Sequence, residues 1–119
     1  MSVTTTAPVI DAQAIEDLRA LNPEDPQFLR ELIDLFIQDV PGRIAEIEQA
    51  LANKDAVLLT RAAHTIKGSC SNFGAARLKE ISHAIELHGK AAAFAEAAAA
   101  LSTLRAEFAT VTAALNKIT

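Results

Sequence analysis

The sequence predicts an all-α protein, an antiparallel up-down four-helix bundle with a short extra N-terminal helix. Three observations lead there. Apolar residues recur at three- and four-residue spacing along most of the chain. Ala and Leu, the strongest helix formers, dominate the composition, and there is no Trp or Tyr. No Val/Ile/Thr-rich alternating run offers a strand. At 119 residues the chain is long enough for one real core and too short for two. Short connections between amphipathic helices favour antiparallel neighbours.

The elements follow in order. Residues 1–8 are Ser/Thr-rich and unpatterned, expected as a disordered tail, and residues 9–119 form the helical domain. Asp11 to about Leu21 reads as a short helix with Ile15, Leu18 and Leu21 on one side. Asn22-Pro23 and Asp25-Pro26 punctuate the chain, since proline suits a helix's first turn. From Gln27, the residues Phe28, Leu29, Leu32, Ile33, Leu35, Phe36, Ile37 and Val40 keep helical spacing. Pro41-Gly42 is expected to kink or break this segment, and the pattern resumes at Ile44, Ile47 and Leu51. One bent helix and two separate ones both remain open at this point.

Asn53-Lys54-Asp55 marks a turn, with Asp55 as N-cap of a helix running to about Phe73. Gly74 fits its C-terminus. A further helix is expected from about Ala75 to His88, with Gly89 as its stop. The last helix spans roughly Ala92–Asn116, with Phe94, Leu101, Leu104, Phe108, Val111, Leu115 and Ile118 in a three-four repeat. The alanine run within Ala91–Ala100 suits close helix packing.

Composition also excludes. A net charge of −4 argues against non-specific nucleic-acid binding, which needs clustered Lys and Arg. Cys70 is the only cysteine, so no internal disulfide forms, and a reducing cytosol is the simplest setting. Met1–Ile10 lacks the basic and apolar regions of a signal peptide, and even Ala91–Leu101 is interrupted by Glu96. The protein is therefore expected to be soluble and cytoplasmic, with no membrane partner. No Gly-rich nucleotide loop is present, which argues against ATP binding and self-phosphorylation.

The chemistry concentrates between Arg61 and Ala75. On a helix turning about 100° per residue, Leu59, Ala62, Ala63, Ile66, Cys70 and Phe73 share one arc, nearly opposite His64. Thr60, Arg61, Lys67, Gly68 and Ser71 fall within about 60° of His64. The histidine thus stands in the middle of the solvent side. An ordinary imidazole has a pKa of about 6.5, so much of it is neutral and nucleophilic near pH 7. Lys67 one turn on and Arg61 one turn back would attract the oxygens of a phosphoryl group. Gly68 lowers helix stability by about 1 kcal/mol relative to Ala, and its bare backbone gives a partner close access to His64.

Other candidates carry less. His83 and His88 sit five apart, whereas ligands sharing a helix face come at three or four, so no metal site is expected with His64. Both histidines are read as structural or solvated, with His83 pointing away. Cys70 falls on the buried side and reads as core filler. Glu46, Glu48, Arg77 and Lys79 read as solvated faces, although Arg77 and Lys79 would guide an acidic partner if they lay near the His64 end.

The segment His64-Thr-Ile-Lys-Gly-Ser-Cys-Ser-Asn-Phe-Gly-Ala75 closely resembles the signature of histidine-phosphotransfer (HPt) domains. That signature reads His-Thr-Leu-Lys-Gly-Ser-Ser, then Gly-Ala, then Leu and Leu-Glu in the next helix, where this chain has Leu78 and Ile85-Glu86. The resemblance covers roughly residues 25–90, and the final helix matches in pattern only. Ile66, Cys70 and Phe73 depart from the usual residues, and none touches the exposed strip.

The resemblance implies His64 as phosphoacceptor, Lys67 as the phosphate-stabilising group and Gly68 as the clearance position; Thr60, Arg61 and Ser71, which helix geometry puts beside His64, are expected to complete the partner-facing strip. It implies a phosphorelay intermediate that takes a phosphoryl group from a receiver-domain aspartate and passes it to a response regulator. Such a chain is a phosphocarrier without kinase activity of its own. Its partners would be the receiver domain of a hybrid histidine kinase, a response regulator, or both, and it would act as a monomer. It needs no cofactor itself, Mg²⁺ being expected on the partner receiver. The alternative is a helical adaptor or decoy that binds receiver domains without transfer.

Overall fold

A computed structural model describes residues 9–118. The expected tail, residues 1–8, lies outside the described residues. Five α-helices follow one another: α1 (Ala12–Leu21), α2 (Phe28–Asn53), α3 (Ala56–Cys70), α4 (Ala76–Lys90) and α5 (Phe94–Asn116). A 3₁₀ turn, Ser71–Phe73, continues the end of α3. No strand occurs among the described residues.

Cross-helix contacts define the directions. Arg30 near the start of α2 donates to Asn116 at the end of α5, while Glu48 late in α2 pairs with Arg105 further back in α5. Arg77 at the start of α4 makes a forked pair with Glu107 in the second half of α5. Between α3 and α4 the partners run Thr60 with Gly89, His64 with Glu86 and Lys67 with His83. For α2 with α5 and α3 with α4 one number rises as the other falls, and the start of α4 meets the second half of α5 although its end leads directly into the start of α5, so these neighbours are antiparallel. Helices α2 to α5 pack in a closed ring, each against the next and α5 back against α2. The four-helix bundle with an added N-terminal helix is therefore as the sequence predicts.

Local chemistry places the helix ends. Asp11 accepts from the Gln13 backbone N–H at 3.0 Å and Asp55 from that of Leu58 at 3.0 Å, so both act as N-caps. Such caps contribute about 1 kcal/mol each. Gly74 takes φ +61°, and a Cβ there would lie 2.2 Å from the Asp11 Cβ. The same crossing is tied by the Asp11 N–H donating to the Phe73 carbonyl at 3.0 Å, which seats α1 on the 3₁₀ turn.

The Pro41-Gly42 question resolves as one helix: α2 runs unbroken through Pro41. Proline removes the bond to the Ile37 carbonyl, but Pro41 and Gly42 are both exposed. The proline ring therefore sits on the solvent side of the helix, and the buried face of Ile33, Phe36, Val40, Ile44 and Ile47 continues past it.

One boundary needs correcting. Helix α4 does not stop at Gly89; it continues to Lys90, and Gly89 is buried within it. The left-handed residue beyond the helix is Ala92, at φ 53°. Gly89 lies where α3 passes closest, with no room for a side chain against Thr60. The core joins all five helices, with Phe36 edge-on to Phe73 at 5.2 Å between ring centres and tilted towards Phe108 at 5.8 Å.

Candidate functional site

Helix α3 buries the face its periodicity assigns. Leu59, Ala62, Ala63, Ile66 and Cys70 are all inside. Burial pushes the Cys70 thiol up to about 12, so it remains a protonated core group at neutral pH. Rotating half a turn away brings up His64, whose side chain is 64% exposed. Arg61, Gly68 and Ser71 are exposed with it.

The neighbouring helix changes the picture for the other two members of the strip. Lys67 is not splayed into water but crosses to α4, its side chain only 22% exposed. Thr60 is half-buried against Gly89, and its hydroxyl donates to the Ala56 carbonyl at 2.7 Å. A Cβ on Gly89 would stand 2.5 Å from Thr60 Oγ1 and 2.9 Å from Thr60 N. The absent side chain at Gly89 lets the two backbones close together beside His64. Gly68 is the opposite case: nothing lies within 4 Å of the place its Cβ would occupy.

What Lys67 reaches for is Glu86, a buried carboxylate on α4. Oε1 of Glu86 lies 2.6 Å from Lys67 Nζ, and Oε2 lies 2.8 Å from His64 Nδ1. His83 Nδ1 stands 3.4 Å from Oε1 and 3.5 Å from Lys67 Nζ, and Lys90 Nζ is 3.8 Å from Oε2. Burial would by itself raise the Glu86 pKa. Hydrogen bonds from Lys67, His64 and His83, with the Lys67 charge, outweigh it and bring the carboxyl down to about 2.

An ionised carboxylate can only accept. His64 therefore carries its proton on Nδ1 and donates it to Glu86, which leaves Nε2 without a proton in the neutral ring. The same logic divides the ligands of His83. Its Nδ1 can accept from Lys67 or donate to Glu86, but one nitrogen does not do both.

Glu86 is the residue that reading one helix at a time misses. It is visible in the sequence only as the second residue of Ile85-Glu86, beside the buried stripe of Leu78, Ser82, Ile85 and Gly89. An acidic group at the margin of an apolar stripe is a signal that some cation must meet it. Which cation depends on how α3 and α4 register, and periodicity within α4 carries no such information. His83, read from the sequence as pointing away from the site, joins it for the same reason. Arg77 goes elsewhere, held by Glu107, and does not face His64. Glu46 pairs with Arg43 and Glu48 with Arg105.

A hollow of about 440 Å³ opens beside His64, between the first turns of α3 and the end of α4. A larger cleft of about 670 Å³ lies where α1 meets the start of α2, lined by Arg19, Pro23, Phe28 and Ile118, and none of the Glu86 cluster faces it. Among the described residues, no helix is long and apolar enough to cross a membrane.

A helical bundle in which an exposed histidine is oriented from the adjacent helix by a buried carboxylate defines a class of small proteins in which an imidazole is offered to a partner. The Hpt domain family matches residues 31–114, and the chain belongs to that family. It thus takes the histidine-phosphotransfer role of phosphorelays, in a family of phosphocarriers, which are not kinases and which interact with receiver domains. Among solved structures it is similar to histidine-containing phosphotransfer protein B (HptB) from Pseudomonas aeruginosa PAO1. The TM-score is 0.85 at 27% identity, covering 94% of this chain and 95% of that one. No curated protein matches.

Proposed function

We propose that this chain is a cytoplasmic, monomeric phosphorelay intermediate whose phosphoacceptor is His64 Nε2. One observation carries the assignment of the atom: Nδ1 is engaged with Glu86 Oε2 at 2.8 Å, while the side chain is 64% exposed. Nε2 attacks the phosphorus of an aspartyl phosphate on a receiver domain. The new N–P bond forms as the aspartate O–P bond breaks, and the electron pair leaves with the partner's carboxylate. Positive charge grows on the ring during attack, and the ionised Glu86 lies where it offsets that charge across the Nδ1–H bond. The reverse step hands the phosphoryl group to an aspartate on a second receiver and returns the neutral imidazole.

Lys67 is anchored on Glu86 one helical turn from the histidine. Its positive charge stands ready for the phosphoryl oxygens without a large side-chain search, and Glu86 fixes its position. Gly68 and Ser71 keep the approach on the C-terminal side low, while Thr60 and Arg61 line the other side. Mg²⁺ and the remaining catalytic groups belong to the receiver, so this chain contributes a positioned nucleophile and a cation.

The test is incubation with radiolabelled phospho-receiver domains from the same cell, followed by recovery of the small protein. Acid-labile label on the wild type and none on His64→Gln is the expected result. Stable binding to a receiver with no label would overturn the carrier reading in favour of the adaptor.

A further inference from the structure

The hollow beside His64 has walls that offer little to a polar guest. Thr60's hydroxyl is engaged with the Ala56 carbonyl, Glu86 Oε2 with His64 Nδ1, and Gly89 contributes no side chain. At its outer edge stands Val57, with 72% of its surface open to solvent. Val57 lies seven residues before His64, two helical turns back on the same face. The rim is cationic: Arg61 is exposed with no ion pair among the described residues, and Lys90 is 60% exposed at the end of α4. Both flank the histidine on the side away from Gly68.

A partner delivering an aspartyl phosphate to His64 Nε2 must cover the surface around that atom, and the hollow is part of it. Such a partner carries negative charge at its own reacting centre, which matches the Arg61 and Lys90 rim. From these observations we infer that the Val57 hollow seats an apolar side chain of the phosphoryl-donating receiver domain, with Lys90 and Arg61 holding the acidic rim of that receiver's phosphorylation site. Docking is then one-sided: the receiver is anchored over the start of α3 and the end of α4, and the Gly68 side only clears its path. The inference rests on the phosphorelay reading above and adds the surface that selects the partner.

The experiment uses the whole chain and receiver domains from the same cell, each charged with radiolabelled acetyl phosphate and freed of excess donor. Initial transfer rates are taken across receiver concentration with the receiver that labels the wild type. Val57→Asp is expected to raise the half-saturating receiver concentration at least about tenfold, as loss of one buried valine and an added like charge require. Val57→Ser should raise it by a smaller factor. Lys90→Gln should raise it severalfold and flatten its dependence on salt. Leu35→Asp, at another well-exposed apolar position, on α2 and outside the hollow, should match the wild type. Labelling of His64 by phosphoramidate, which needs no docked protein, should persist in both Val57 variants and show that nucleophile and fold are intact.

If Val57→Asp and Lys90→Gln transfer like the wild type from a receiver that labels it, the docking inference fails and the relay reading stands. If no receiver labels the wild type, both fail.

Discussion

Lys67 Nζ lies 2.6 Å from Glu86 Oε1, closer to that carboxylate than either histidine that shares it. This pair is the anchor of the cluster. Glu86 is 4% exposed, so removing its main counter-charge leaves a nearly buried carboxylate short of compensation. Lys67→Ala should destabilise the fold by about 1–3 kcal/mol, measured by urea denaturation. Lys67→Arg should recover most of that stability.

Glu86→Gln tests orientation rather than charge pairing alone. An amide can present its NH₂ to His64 Nδ1, which favours the tautomer with the proton on Nε2 and blocks the proposed nucleophile. Transfer from a phospho-receiver should fall by about tenfold to a hundredfold. Nitrogen NMR of the His64 ring would report the tautomer directly; an unchanged ring with unchanged transfer would dismiss the positioning role.

The same carboxylate makes a pH prediction with a definite sign. Its folded pKa is about 2 against an ordinary 4.5. The group therefore contributes stability that is fully present above about 4.5 and is lost as pH falls through about 2. The stability difference between wild type and Glu86→Gln, followed by denaturation at each pH, should shift steadily against the wild type across that window. A difference that stays flat from pH 5 to 2 would contradict it.

Two glycines should respond in opposite directions. Gly68→Ala adds a methyl group to open space in an exposed helix interior, so it should stabilise the protein by about 1 kcal/mol. The larger Gly68→Gln should keep the fold and slow transfer by obstructing the partner. Gly89→Ala forces a Cβ to within 2.9 Å of the Thr60 backbone N, so α3 and α4 must part. It should cost about 1–3 kcal/mol, partly offset by the better helix propensity of Ala.

The periodic pattern was enough for the bundle because each helix hides one stripe, and the stripe of α3 leaves His64 outside whatever packs on it. Pro41 could not be judged in the same way. Whether a proline ends a helix or rides on its solvent side depends on what packs around it, and that is a property of the folded molecule. Gly89 misled because glycine serves both as a helix stop and as a close-packing residue, and only the approach of Thr60 distinguishes them. Lys67 pointed to phosphate on sequence grounds, yet its nearest partner is a carboxylate on another helix. Side-chain identity on one helix foretold exposure well and partnership poorly.

The pairing of α3 with α4 also bears on how the protein comes to be active. His64, Lys67, His83, Glu86 and Lys90 lie on consecutive helices joined by the short 3₁₀ turn and Gly74. Contacts between segments so near in the chain close quickly, because little loop entropy is lost in bringing them together. The receptive imidazole and its carboxylate can therefore be assembled early in folding, ahead of the distant closure of α2 on α5. The reacting pair is thus closed by a local contact, whereas the bonds that join α2 to α5 close across most of the chain.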